Sequence, residues 1–113
     1  MSDQAVESFL VVSAARLAPR TIEAYRDDLQ HVTAFLGGSP ADATHDRLQA
    51  YVAQMRADGR AATTIARRIA ALRSFYRHQV LVGARTDNPA AELELPKRRR
   101  ALPKTLSPGR WSG

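Results

Sequence analysis

The sequence contains no cysteine, which excludes disulfides and thiolate metal sites. Its three histidines, His31, His45 and His78, are scattered, so no metal site is expected from them. No apolar run approaches the roughly 20 residues of a membrane-spanning helix. The opening Met-Ser-Asp-Gln-Ala-Val-Glu-Ser-Phe is acidic and lacks a basic-then-apolar leader, so nothing marks the chain for export and the cytoplasm is the expected compartment. β signals are missing as well: there is no sustained period-two alternation and no Asn-Gly or Asp-Gly turn between apolar runs. There is also no Gly-rich phosphate loop and no Ser-His-Asp set in a supporting context, so no catalytic residue and no cofactor is expected. Tyr25, Tyr51 and Tyr76 fall on apolar stripes and are read as packing residues rather than nucleophiles.

What remains is a chain of 113 residues, 44% apolar and 25% charged, enough for one domain with a modest core. The net charge is +6, and its distribution says more than its size. Residues 1–58 carry five basic and eight acidic side chains, whereas residues 59–113 carry twelve basic and three acidic ones. Such a lopsided basic half suggests a polyanion partner. Fifteen of the seventeen basic residues are Arg, whose fork matches phosphate oxygens and guanine edges. Coding bias explains Arg over Lys but not the segregation by sign.

Helical periodicity appears four times. The first helix is expected from about Asp3 to Arg16, with Val6, Phe9, Leu10, Ser13 and Leu17 on one stripe. The second starts at Pro19, a favourable first-turn residue, and runs to about Leu36 with Ile22, Tyr25, Leu29, Val32 and Leu36 inward. Gly37-Gly38-Ser39-Pro40 stops it. The third spans about Thr44, a plausible N-cap, to Ala57, with Leu48, Tyr51, Val52 and Met55 inward and Gly59 closing it. The fourth runs from about Ala61 to Val82 and ends at Gly83, with a stripe of Ile65, Ile69, Leu72, Tyr76 and Val80 flanked by Phe75. Asp87-Asn88-Pro89 then turns the chain into one short helical turn at Ala90–Leu93. The expected fold class is therefore all-α, a small four-helix bundle with a short fifth turn and a basic C-terminal linker.

At about 3.6 residues per turn, the outer face of the fourth helix collects Arg60, Thr63, Thr64, Arg67, Ala70, Ala71 and Ser74, with Arg68 beside them. No acid occurs between Arg60 and Arg77, whereas ordinary solvated helix faces mix signs. Small side chains let a backbone approach DNA, Arg reaches base edges or phosphates, and Thr hydroxyls bond phosphates. The start of the second helix, with Arg20, Thr21 and Ala24, offers a second phosphate site where helix N–H groups point outward. The acids Asp27, Asp28, Glu92 and Glu94 are expected to face solvent, and on a DNA-facing helix the two aspartates would point away from phosphate or pair with Arg. Lys97, Arg98, Arg99 and Arg100, bounded by Pro96 and Pro103, read as an extended arm along a phosphate backbone.

These residues resemble a known family. Leu17-Ala18-Pro19-Arg20-Thr21-Ile22-Glu23-Ala24-Tyr25-Arg26-Asp27-Asp28-Leu29, the run from Ala62 to Tyr76, and the exit Asn88-Pro89-Ala90 to Leu102-Pro103-Lys104-Thr105-Leu106-Ser107 are similar to the N-terminal core-binding (SAM-like) domain of Xer-type tyrosine recombinases, XerC and XerD, and of phage integrases. The likeness covers about residues 3–107. It implies a domain over 1–95 that grips a double-stranded recombination half-site with its second and fourth helices, and an interdomain linker with a short tail over 96–113. It also implies partner recombinase subunits, DNA integration and recombination, and chromosome dimer resolution. The family's catalytic Tyr, Arg, Lys and His residues belong to a further domain, so the chain by itself is expected to bind DNA rather than act as an enzyme. A stand-alone helical DNA-binding regulator, an integrase arm of a phage or transposon, and a bundle that binds an acidic protein are the competing readings.

Overall fold

Four helices and one 3-10 turn make up residues 4–93, the part of the chain that the computed structural model describes, and no strand occurs among these residues. Helix α1 spans Gln4–Ser13, α2 Pro19–Leu36, α3 His45–Ala57 and α4 Ala62–Leu81, with the 3-10 turn at Pro40–Asp42. The boundaries follow local chemistry. The first helix stops at Ser13 rather than Arg16, and its hydrogen bonding tapers into a turn closed by Leu17 N–H on Ser13 O at 2.9 Å. Pro19 opens α2, where no intrahelical donor is lost, and Ala18 ahead of it is extended. Gly37 ends α2 at φ +73°, a left-handed conformation that a Cβ would strain, and its N–H reaches Thr33 O. Gly59 does the same after α3, where Arg60 N–H bonds Met55 O at 3.1 Å.

The apolar stripes of the four helices meet in one core. Leu10, Leu29, Val32, Leu48, Tyr51, Met55, Ile69, Leu72, Phe75 and Tyr76 are all essentially inaccessible. Each fully buried large apolar side chain contributes about 1.5–3 kcal/mol. Phe9 of α1 is a joint: it stacks on Tyr25 at 6.3 Å, meets Phe75 edge-on at 5.7 Å and touches His78. The 3-10 turn is fastened by the Tyr76 hydroxyl, which donates to Pro40 O at 2.6 Å. The fifth segment is a hydrogen-bonded turn that buries Ala90 and Leu93.

Other expectations change in the packing. Val80 is 40% exposed, while His78 and Gln79 are buried. The fourth helix therefore turns its last two turns away from the simple stripe, because α1 covers the flank carrying Phe75 and His78. Ala71, expected on the outer face, lies one turn before Phe75 on that flank and is fully buried. Asp28, expected in solvent, is buried, and of the two alternatives for it the structure has the pairing with Arg. The linker with Lys97, Arg98, Arg99 and Arg100 lies outside the described residues, as does Trp111.

Part of the basic excess is structural. Arg73 donates to Ala90 O at 3.1 Å and Leu93 O at 2.6 Å, and Asn88 returns a bond to Arg73 O at 3.2 Å. Arg85 donates to Ala41 O at 2.8 Å and Ala43 O at 2.7 Å, pairs with Asp87, and lies 5.3 Å from the Tyr76 ring centroid. These two guanidiniums satisfy buried-side carbonyls and are removed from the pool available to a polyanion.

Candidate nucleic-acid interface

Three basic side chains, Arg60, Arg67 and Arg68, gather where α2 meets the first half of α4. The contact is built on Asp28, whose side chain is 1% exposed. Its Oδ2 accepts from Arg67 Nε at 3.0 Å and its Oδ1 from Arg67 Nη2 at 2.7 Å, a bidentate pair across two helices. Arg68 Nε lies 3.6 Å from the same Oδ1 as an ion pair without a hydrogen bond. Arg68 is thus not a projecting group: its side chain is 12% exposed, and Nη1 lies 3.5 Å from His31 Nδ1 and 3.6 Å from Met55 Sδ. Arg67 differs, with half its side chain in solvent.

His31 and Tyr51 extend the cluster on α2 and α3, with His31 Nδ1 2.8 Å from the Tyr51 hydroxyl. Burial lowers the His31 pKa below the usual imidazole value, and Arg68 and Arg60 push it the same way. A neutral ring accepts at Nδ1, where both neighbours are donors. Burial is also the main cause that pushes the Tyr51 phenol up to about 12. The hydrogen bond to Asp28 raises the Arg67 pKa, so the guanidinium is charged at every accessible pH.

Around this cluster stand the other residues expected to face DNA. Arg60, Thr63, Arg67 and Ala70 are exposed on or beside the first turns of α4, and Thr64 and Ser74 are half-buried. On α2, Arg20 is exposed and Thr21 and Ala24 are half-buried. Arg20, Ala24 and His31 share the face of α2 that carries Asp28; His31 borders the junction and Arg20 stands two turns before it. Both helices begin on alanine with no side-chain cap and no acid in the first turn. By contrast, Ser39 caps the 3-10 turn and Thr44 caps α3. Outward N–H groups beside Arg and Thr suit an anion. Sequence reasoning missed Asp28 as the organiser. Its position four residues beyond Ala24, on the edge of the apolar stripe, is the only local hint.

The described residues contain no group of His, Asp or Glu arranged to hold a metal, and no described helix is long and apolar enough to cross a membrane. Two open grooves, one beside α3 and one beside the 3-10 turn, include none of the residues of the Asp28 junction in their linings.

Comparison with known proteins matches the family described as phage integrase, N-terminal SAM-like domain, over residues 7–81. Tyrosine recombinase XerD of Rhizobium meliloti (strain 1021) is 42% identical over 112 residues, which cover 95% of this chain and 36% of the relative. Tyrosine recombinase XerC of Alcanivorax borkumensis is 36% identical over 107 residues, covering 91% of this chain and 34% of the relative. The chain thus spans about a third of the length of these relatives. Among solved structures, the integrase-like domain from Bacillus cereus superposes with a TM-score of 0.75 at 26% identity, covering 84% of this chain and 82% of that one. The integrase of mycobacterium phage Brujita has the same fold, with a TM-score of 0.75 at 24% identity, over 88% of this chain and 34% of its own.

Proposed function

Because the chain belongs to the phage integrase N-terminal SAM-like domain family, we propose that it is the DNA-gripping part of a site-specific tyrosine recombinase. In this reading α2 and the first half of α4 approach the major groove of a recombination half-site. Arg20, Thr21, Ala24, Arg60, Thr63, Thr64 and Arg67 form the contact surface, and Arg68 supports it from beneath. Lys97, Arg98, Arg99 and Arg100 follow the phosphate backbone as the chain leaves the domain. Strand cutting and rejoining belong to a partner domain, and assembly with further recombinase subunits sets the whole reaction, with chromosome dimer resolution as its role.

The observation that carries this reading is the Asp28 junction. It locks α2 and α4 together and leaves Arg67 at the surface, with Arg60 and the uncapped start of α4 within two turns of it. Phosphates would lie on the helix starts and the Arg67 fork would face the groove. The chemistry is binding, and its strength depends on salt because each neutralised phosphate releases counterions. The test is a titration with a mixed-sequence 20-bp duplex at several salt concentrations, with polyglutamate as the control polyanion. Duplex binding that weakens linearly on a log–log salt plot and exceeds polyglutamate binding is expected. Equal binding of both polymers, or no duplex binding at low salt, would overturn the reading.

A further inference from the structure

Asp28 uses only one edge of the Arg67 guanidinium. Nε and Nη2 are held by the carboxylate at 3.0 and 2.7 Å, and among the described residues no acceptor meets Nη1. A guanidinium has a second donor edge, formed by Nη1 and the outer hydrogen of Nη2, and the Arg67 side chain is half exposed. Two carboxylates also stand against two guanidiniums here, since exposed Asp27 acts on Arg67 alongside Asp28. The local charge is nearly balanced, so the site attracts a bare phosphate weakly. What it keeps is geometry: a planar donor pair held at a fixed angle by a buried anion.

We infer that Asp28 is a positioning residue, fixing Arg67 so that its outer edge meets a paired acceptor on a base, the O6 and N7 of a guanine in the major groove. The inference rests on the DNA-binding reading above and adds the residue that sets specificity within it. An arginine whose fork is held in advance loses less rotamer freedom on binding. The same carboxylate prevents Arg67 from swinging to the nearest phosphate, so preference for one sequence is gained and nonspecific affinity is held down. Arg68, tied to Asp28, His31 and Met55, stiffens the floor under the pair.

The test uses the whole chain. Duplexes that the wild type enriches from a randomised 20-bp pool are compared with a mixed-sequence duplex, for wild type, Asp28→Asn, Arg67→Ala and the double variant. Each single variant is expected to reduce the preference about tenfold or more, and the double variant no further than either alone. Replacing the contacted guanine with 7-deazaguanine should weaken the wild type to a similar extent and leave Asp28→Asn nearly unchanged. Arg67→Lys, which keeps the charge without the fork, should lose the preference with an unchanged salt slope. If Asp28→Asn does not melt cooperatively, Asp28→Glu replaces it, since the longer side chain keeps the charge but displaces the fork. Additive losses, equal weakening on both duplexes, or indifference of the wild type to 7-deazaguanine would overturn the inference while leaving DNA binding in place. A wild type that binds neither duplex would overturn both readings.

Discussion

Arg85 separates basic residues that hold the fold from those that meet a partner. Its Nη1 donates to Ala41 O at 2.8 Å and Ala43 O at 2.7 Å, tying the residues after α4 to the segment before α3. Its side chain is 16% exposed, so water replaces these bonds only in part in a truncated variant. Charge-assisted hydrogen bonds contribute about 1.5–3 kcal/mol each. The position over Tyr76 adds about 0.5–1 kcal/mol. With partial rehydration of the two carbonyls, Arg85→Ala should lose about 2–4 kcal/mol of stability. At about 4–8 °C per kcal/mol for a domain of this size, the midpoint should fall by about 10–25 °C. Thermal melts followed by helical circular dichroism measure this directly. Duplex titration well below the lower midpoint should show the wild-type salt slope, because the side chain is committed to carbonyls. Arg85→Lys should recover only part of the loss, since an ammonium placed on the two carbonyls in the position of Nη1 cannot also hold Asp87 as Nε and Nη2 do. An Arg85→Ala protein that melts within about 2 °C of wild type but has a flatter salt slope would refute the assignment and put Arg85 in the interface.

Leu72 is 1% exposed, so Leu72→Ala should cost about 2–5 kcal/mol in a denaturant titration. Arg67→Ala should cost less, about 1–2 kcal/mol, because the removed group is half exposed and Asp28 keeps Arg68 as its counter-ion. Neutralising Lys97, Arg98, Arg99 and Arg100 together should weaken binding to all duplexes alike, and each lost phosphate contact should flatten the log–log salt slope by about 0.9; an unchanged slope would remove the arm from the interface. The fold favours neutral His31, so its contribution to stability is complete above the ordinary imidazole value of 6.5 and is lost as pH falls through that value toward the lowered folded one. Melts at neutral and mildly acidic pH should show this loss, and His31→Asn should reduce it.

Helix positions, the all-α class and most of the core are decided by local signals. Pro19 starts a helix because its missing donor costs nothing there, and Gly37, Gly59 and Gly83 end helices because only they take a positive φ without strain. The stripe of α3 and that of α1 up to Ser13 are correct at Val6, Phe9, Leu10, Ser13, Leu48, Tyr51, Val52 and Met55, because a helix buries one face whatever it packs on, while Leu17 falls beyond the end of α1 and is half-buried. The excess of Arg in the second half and the outward places of Arg60, Thr63 and Arg67 are legible for the same reason. Tertiary structure alone decides which neighbour covers each flank. Ala71 and His78 are buried because α1 crosses a flank that helical periodicity leaves open. Arg67 lies 39 residues from Asp28, and Arg85 more than 40 from the carbonyls it binds. No periodicity within one helix encodes such pairs. The residue types state how much charge the chain carries, while packing decides that Arg73 and Arg85 hold backbone, Arg68 holds the floor, and Arg67 stays half exposed with one donor edge that meets no acceptor among the described residues.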